Sequence, residues 1–247
     1  MKMKKRFLGI LLSLMMVLGL MPGIVPEAGA TGETWTDWKS GQLYPSTPGN
    51  YTIEESVEIS STWHVPGETK LWLTSNGKIT LTGNAYIELD NGSGDHLIIV
   101  GESTGSIIDN ASANNTVISV SEGTTFEMQG GTIEGNDTMY SVDNSGTFNM
   151  SGGTINNAGG RSAVENSGKG TFTMTGGTIN ADGTDTTAVN NNGGYPDDPI
   201  KFTMSGNAVI NAEAAGVINY ATEFTMSGGK ITGQSTELGK GVASYFI

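Results

Sequence analysis

Cysteine is absent from this chain of 247 residues. That removes disulfide frameworks, thiolate metal sites, cysteine nucleophiles and a lipid-anchored lipoprotein. Basic residues are scarce, with 12 Lys and Arg against 25 Asp and Glu and a formal net charge of −13. Nothing in such a chain neutralises a run of phosphates, so a nucleic-acid partner is excluded. Histidine occurs only as His64 and His96. Neither has a sequence cluster of ligands around it, which falls short of the three or four protein ligands of a zinc site. After the N-terminus no second long apolar run and no Leu-Pro-x-Thr-Gly sorting signal occurs, so a further means of surface retention is not expected.

The one long apolar run opens the chain. Residues 1–30 carry Lys2, Lys4, Lys5 and Arg6, then an apolar stretch from Phe7 to Leu20, the helix breakers Pro22 and Pro26, and the small residues Ala28, Gly29 and Ala30. This is the layout of a secretory signal peptide with its cleavage site. A generous reading extends the apolar stretch to Val25, near spanning length, so an uncleaved anchor is the alternative. Cleavage removes four basic residues and one acidic residue and leaves about 16 net negative charges. The expected product is an acidic extracellular protein, free or at the cell surface, with no membrane contact once the leader is gone.

Self-similarity carries most of the remaining information. TFEMQGGTIEGN (125–136), TFNMSGGTINNA (147–158), TFTMTGGTINAD (171–182), KFTMSGNAVINA (201–212) and EFTMSGGKITGQ (223–234) align without gaps as variants of Phe-x-Met-x-Gly-Gly-x-Ile. The Phe positions 126, 148, 172, 202 and 224 give periods of 22, 24, 30 and 22 residues. Phe and Met alternate with Glu127, Asn149, Thr173, Thr203 and Thr225, the period of two of a strand with one buried face. The Gly pair permits the positive φ of a corner. A second strand then resumes at Ile133, Ile155, Ile179, Val209 and Ile231. Between units, Val142-Asp143-Asn144, Val164-Glu165-Asn166, Val189-Asn190-Asn191 and Val217-Ile218-Asn219 supply a third strand and stack Asn on Asn. Such amides suit stacked parallel strands.

Three short strands per coil, 22–30 residues per coil and like stacked on like predict an all-β fold, a parallel β-helix solenoid over residues 51–247. A propeller blade needs about 40 residues and a leucine-rich repeat needs a helical leg. One coil buries too few side chains to offset the entropy of ordering it, so coils must stack. Ile79 and Leu81, Ile87 and Leu89, Leu97 to Val100, and Ile107 with Ile108 read as earlier, degenerate coils. Residues 31–50 hold Trp35, Trp38 and Tyr44. They predict an N-terminal cap over the open end of the stack; an aromatic platform for sugar rings is the alternative. No matching cap is evident after Val242: either Tyr245 and Phe246 fold over the last coil, or the chain is part of a longer protein.

These repeats, preceded by the stretch at 51–81, resemble the right-handed β-helix repeats of surface proteins secreted by Gram-positive bacteria, of the pectate-lyase-like superfold. The resemblance covers roughly residues 51–244. It implies a right-handed helix and is weak evidence for activity, because that superfold hosts lyases, hydrolases, adhesins and scaffolds.

Chemistry concentrates at the longest coil. Its insert at 189–201 holds Tyr195, Asp197 and Asp198, with Asp182 and Asp185 before it and Arg161 one coil earlier. An acidic loop of this kind is suited to Ca²⁺, to sugar binding, to a carboxylate pair for glycoside hydrolysis, or simply to a solvated turn. The resemblance implies basic residues and Ca²⁺ for a lyase, and here Arg161 is the only arginine after residue 30, with Lys169 and Lys201 in no recognisable motif. For a hydrolase it implies Asp residues on adjacent coils, and Asp197 with Asp198 resembles part of that set. Thr171, Thr173, Thr175, Thr203 and Thr225 form an outward row broken by Glu127, Lys201 and Glu223. The expected function is that of a non-enzymatic adhesin-like or carbohydrate-binding module, with extracellular polysaccharide or host glycan or protein as partner and no cofactor unless Ca²⁺. Asp182, Asp185, Tyr195, Trp35 and Trp38 are its candidate ligand contacts. The alternative is a polysaccharide lyase or glycoside hydrolase using Asp197, Asp198 and Arg161 on the loop 182–201.

Overall fold

The alternating Phe and Met of each repeat fall on parallel strands that stack vertically, Phe on Phe and Met on Met, in a computed structural model. The structure describes residues 33–90, 94–102, 107–110, 116–135, 139–193, 200–220, 223–233 and 242–245. The proposed leader at 1–30 lies outside them, as do Tyr195, Asp197 and Asp198. The chain divides into Met1–Glu33 and Thr34–Ile247, and the solenoid is the second unit. It is all β-structure, with no helix among the described residues.

Three parallel sheets of nine, eight and eight strands form the walls, and each coil gives one strand to each. The first, the Phe sheet, includes Thr125–Met128, Thr147–Met150 and Thr171–Met174. The second, the Ile sheet, includes Thr132–Gly135, Thr154–Asn157 and Thr178–Ala181. The third, the Asn sheet, includes Tyr140–Asn144, Ser162–Asn166 and Thr187–Asn192. The degenerate early coils follow the same order with Glu68–Leu73, Lys78–Leu81 and Ile87–Leu89.

Packing inside is by columns. The rings of Phe126, Phe148, Phe172, Phe202 and Phe224 stack with centroids 4.8, 4.6, 4.7 and 5.0 Å apart. Each buried ring contributes roughly 1.5–3 kcal/mol by burial, and each aromatic pair about 0.5–1.5 kcal/mol more. A buried asparagine column adds direction. Asn144 Nδ2 donates to Asn166 Oδ1 at 2.7 Å, Asn166 to Asn191 at 2.7 Å, and Asn191 to Asn219 at 2.6 Å. The same amides also donate to backbone carbonyls of the Phe sheet, Asn144 to Thr171 at 3.3 Å and Asn166 to Lys201 at 3.1 Å. The column therefore closes the corner between two sheets as well as joining coils.

The two glycines of the corner do different jobs. Only the second has positive φ: 81° at Gly153 and 81° at Gly177. The first is there for space, because a Cβ on Gly152 or Gly176 would lie 2.4 Å from the carbonyl oxygen of Gln129 or Ser151 in the coil before.

One expected alignment is corrected. Val209 does not join the Ile column: Ile210 pairs with Ile179 and Ile231, and Val209 pairs with Thr178 and Lys230. The corner from Ser205 to Ala208 is one residue longer than its neighbours. A one-residue slip exchanges the faces of a strand, and the gapless register would turn Ile210 and Ala212 outward, both of which are buried.

A second asparagine ladder runs on the outside of the Ile sheet, with Asn156 donating to Glu134 at 2.8 Å, Asn180 to Asn156 at 2.8 Å and Asn211 to Asn180 at 3.0 Å. The two ladders allow a direct comparison. Asn166→Ala removes the acceptor for Asn144 and the donor to Asn191 inside the core, and is expected to cost about 2–5 kcal/mol. Asn180→Ala, whose neighbours reach water, should cost no more than about 1 kcal/mol. Urea unfolding of both variants measures the difference, and equal costs would show that the inner column is not a structural support.

Candidate functional site

The middle residue of each Val-x-Asn strand points outward from the Asn sheet, as does Ser119 of the preceding strand Ile118–Val120, so that Ser119, Asp143, Glu165, Asn190 and Ile218 follow one another in register in successive coils. Two carboxylates therefore project side by side from adjacent strands, whose spacing in any sheet is about 4.8 Å. Glu165 is 5% exposed and Asp143 half-buried. Both Glu165 oxygens accept amide hydrogens, Oε2 from Asn190 at 2.9 Å and Oε1 from Asn192 at 3.0 Å.

Burial pushes the Glu165 carboxyl above its ordinary pKa, and the Asp143 charge adds to the push, while the hydrogen bonds from Asn192, Asn190 and Ser162 oppose it. Burial alone raises Asp143. Tyr140 begins the same strand as Asp143. Its hydroxyl is also raised, first by burial and then by the charge of Glu165, against a hydrogen bond and the positive charge of Arg161. Tyr140, Asp143, Arg161 and Glu165 thus share one electrostatic environment, flanked by Asn190 and Asn192.

Of the residues expected from sequence, Arg161 belongs to this group. It sits at the corner entering the Asn sheet, where its backbone N–H donates to Met139 O at 3.2 Å and its carbonyl accepts from Thr187 N at 3.0 Å. Asp182 and Asp185 are exposed at the corresponding corner one coil later. The strand Thr187–Asn192 separates them from the segment of Tyr195, Asp197 and Asp198. The proposed loop 182–201 therefore contains the wall strand Thr187–Asn192.

Trp35 and Trp38 lie far from this group along the stack, against the first coils. Trp38 is 3% exposed and packs on Trp63 at 5.4 Å between ring centroids. Trp35 is half-buried, 6.0 Å from Trp72, with Lys70 Nζ 5.4 Å from its ring centroid. Trp63 anchors the region, donating from Nε1 to Pro45 O at 2.9 Å.

Sequence reasoning placed Asp143 and Glu165 in a repeat but gave them no part in a site. The signal was present: a carboxylate at the same repeat position in two consecutive coils means like charges in register, which are unfavourable unless used or compensated. Asn192, two residues beyond the outward Asn190 on the same strand, follows from strand alternation, whereas Tyr140 at the start of its strand had no comparable signal. No family model, curated protein or solved structure matches the chain.

The two raised carboxyls set a pH dependence. Their native pKa values lie above the unfolded ones, so between the ordinary carboxylate range and the raised values the folded state holds more protons than the unfolded state. Their contribution to stability therefore falls as pH rises through that window. Asp143→Asn removes one ionisation and relieves its neighbour, so it is expected to raise Tm at about pH 7 and to flatten the loss of stability from about pH 4 upward. Thermal scans of both proteins across this range test it; parallel curves would show that the pair is not coupled to folding.

Proposed function

We propose that this chain is an exported β-solenoid that binds a neutral, extended carbohydrate on the outer face of the Asn sheet. The observation that carries this reading is the convergence there of Tyr140, Asp143, Arg161 and Asn192, with Glu165 behind them fixing the Asn190 and Asn192 amides. Sugar hydroxyls need donors and acceptors together, and this set offers guanidinium and amide donors beside a carboxylate acceptor and a phenol. The rigid walls hold them in place before any ligand arrives, which lowers the cost of binding. A uronate polymer suits the face poorly, since it would meet two carboxylates in a chain of net charge −13. The leader-like residues 1–30 and the resemblance of the repeats to secreted bacterial β-helices support an extracellular setting, at the surface or free, with an adhesin-like role.

A second reading has one specific observation in its favour. Asp143 and Glu165 are carboxyls in register on adjacent coils, both held above the ordinary range, and a strand spacing of about 4.8 Å is close to the roughly 5–5.5 Å between the carboxyls of a retaining glycosidase. Against it, both oxygens of Glu165 are occupied by asparagine amides and the residue is nearly inaccessible. A group so held orients its neighbours better than it reaches a glycosidic oxygen.

Native affinity electrophoresis through gels containing glucan, xylan, arabinan, mucin or pectin, each with Ca²⁺ or a chelator, tests the binding reading. Retardation is expected in a neutral polymer and not in pectin, and Arg161→Ala and Asn192→Ala should reduce it at least about tenfold in apparent affinity, the equivalent of one lost charge-assisted contact. Unretarded migration in every gel would overturn the proposal. Sugar release abolished by Asp143→Asn would move the assignment to the hydrolase reading.

A further inference from the structure

Near the start of the Asn sheet, on the same outer face and in the same row as the carbohydrate site, with Ser119 alone between Glu88 and Asp143, the side chains of His64, Glu88 and Asp90 come together. His64 and Glu88 are in register on the strands Trp63–His64 and Ile87–Leu89. These strands are fixed by their inward neighbours Trp63, Ile87 and Leu89, all fully buried. Asp90 follows directly, and its Oδ1 lies 3.1 Å from His64 Nδ1, while Glu88 Oε2 lies 3.5 Å from the same nitrogen. The Tyr86 hydroxyl donates to Glu88 Oε2 at 3.2 Å and fixes that carboxylate from behind.

We propose that His64, Glu88 and Asp90 form a zinc-type divalent metal site with three protein ligands and an open position. Zinc bound by nitrogen and carboxylate oxygen at about 2.0–2.2 Å in a tetrahedron has ligand atoms roughly 3.3–3.5 Å apart. The two His64 separations, 3.1 and 3.5 Å, already match that edge. All three ligand atoms lie within 4.8 Å of one another, so a small swing of the exposed Asp90 closes the third edge. One imidazole with two carboxylates suits zinc better than Ca²⁺, which takes six to eight oxygens. A divalent ion at His64 Nδ1 would offset the repulsion between Glu88 and Asp90. A ligand held on a carboxylate by a tyrosine is the kind of outer support that metal sites use. His64 is exposed, which gives the ion a path in and leaves the fourth position to water or to a donor from another molecule.

The alternative is a His64 ring held by the two carboxylates alone, with no affinity for metal. Calorimetric titration of the purified protein with Zn²⁺ in a non-chelating buffer separates the two. One Zn²⁺ per chain is expected, weakened at least about tenfold by His64→Ala and likewise by Asp90→Asn, where a tenfold change in Kd corresponds to about 1.4 kcal/mol. Thermal scans of both variants without metal should match the parent and so separate lost binding from lost structure; if His64→Ala melts early, Asp90→Asn carries the test. Absence of binding, or binding that neither substitution changes, would overturn the site. Equal or tighter binding of Ca²⁺ would overturn it as well, since that outcome means an acidic patch in which the imidazole is idle.

Discussion

A polar amide on the inner face of a solenoid wall, away from the corners, finds its hydrogen-bond partners along the stack, in the coils before and after it. The column from Asn144 to Asn219 meets that constraint with one side-chain donation per coil, each 2.6–2.7 Å long. The arrangement works only when every coil presents its asparagine at the same height and angle. It therefore disciplines the register of the Asn sheet more strictly than apolar packing does, since a displaced phenylalanine loses contact area gradually while a displaced amide is left unpaired. The stacked phenyl rings supply the larger share of burial, and the asparagines supply the alignment.

Once register is fixed inside, the outer faces become rows by necessity. Residues between the buried positions stand above one another, and their chemistry is read down the column rather than along the chain. On the Ile sheet this yields a second amide ladder ending on Glu134. On the Asn sheet it sets Asp143 beside Glu165 and then places Asn190 where its amide meets the glutamate. Near the first coils it sets His64 beside Glu88. Each of these groupings joins residues of adjacent coils, 22 to 31 apart in sequence, which only coil-to-coil register brings together.

The carboxylate pair shows how such a face is tuned. Ionised neighbours on adjacent strands repel, and partial burial raises the cost of charge on each. The asparagines relieve Glu165 by donating to both of its oxygens, and Arg161 offers a positive charge at the edge. The resulting surface is rigid, polar and rich in both donors and acceptors. Rigidity matters because the side chains are held by walls whose cores are closed, so little freedom remains to be lost when a partner binds.

Much of the architecture was legible in the residues alone. The Phe-x-Met alternation, the Gly-Gly corner and the Val-x-Asn strand each have a local physical cause, and their recurrence implies parallel stacking. The sequence misled at Val209, because a pattern of letters cannot distinguish a corner of normal length from one with an extra residue when Val and Ile stand side by side. Burial decided that register. It also showed why both glycines of the corner are needed, since one answers to φ and the other to a carbonyl in the preceding coil. The candidate sites were less legible still. Arg161, Asp182 and Asp185 were visible as polar residues near a long insert, but which side chains share a face depends on coil-to-coil register and corner length summed over several turns. Periodicity determined that this chain stacks; only the stacked structure decided which charges, amides and imidazoles meet, because those meetings run perpendicular to the chain.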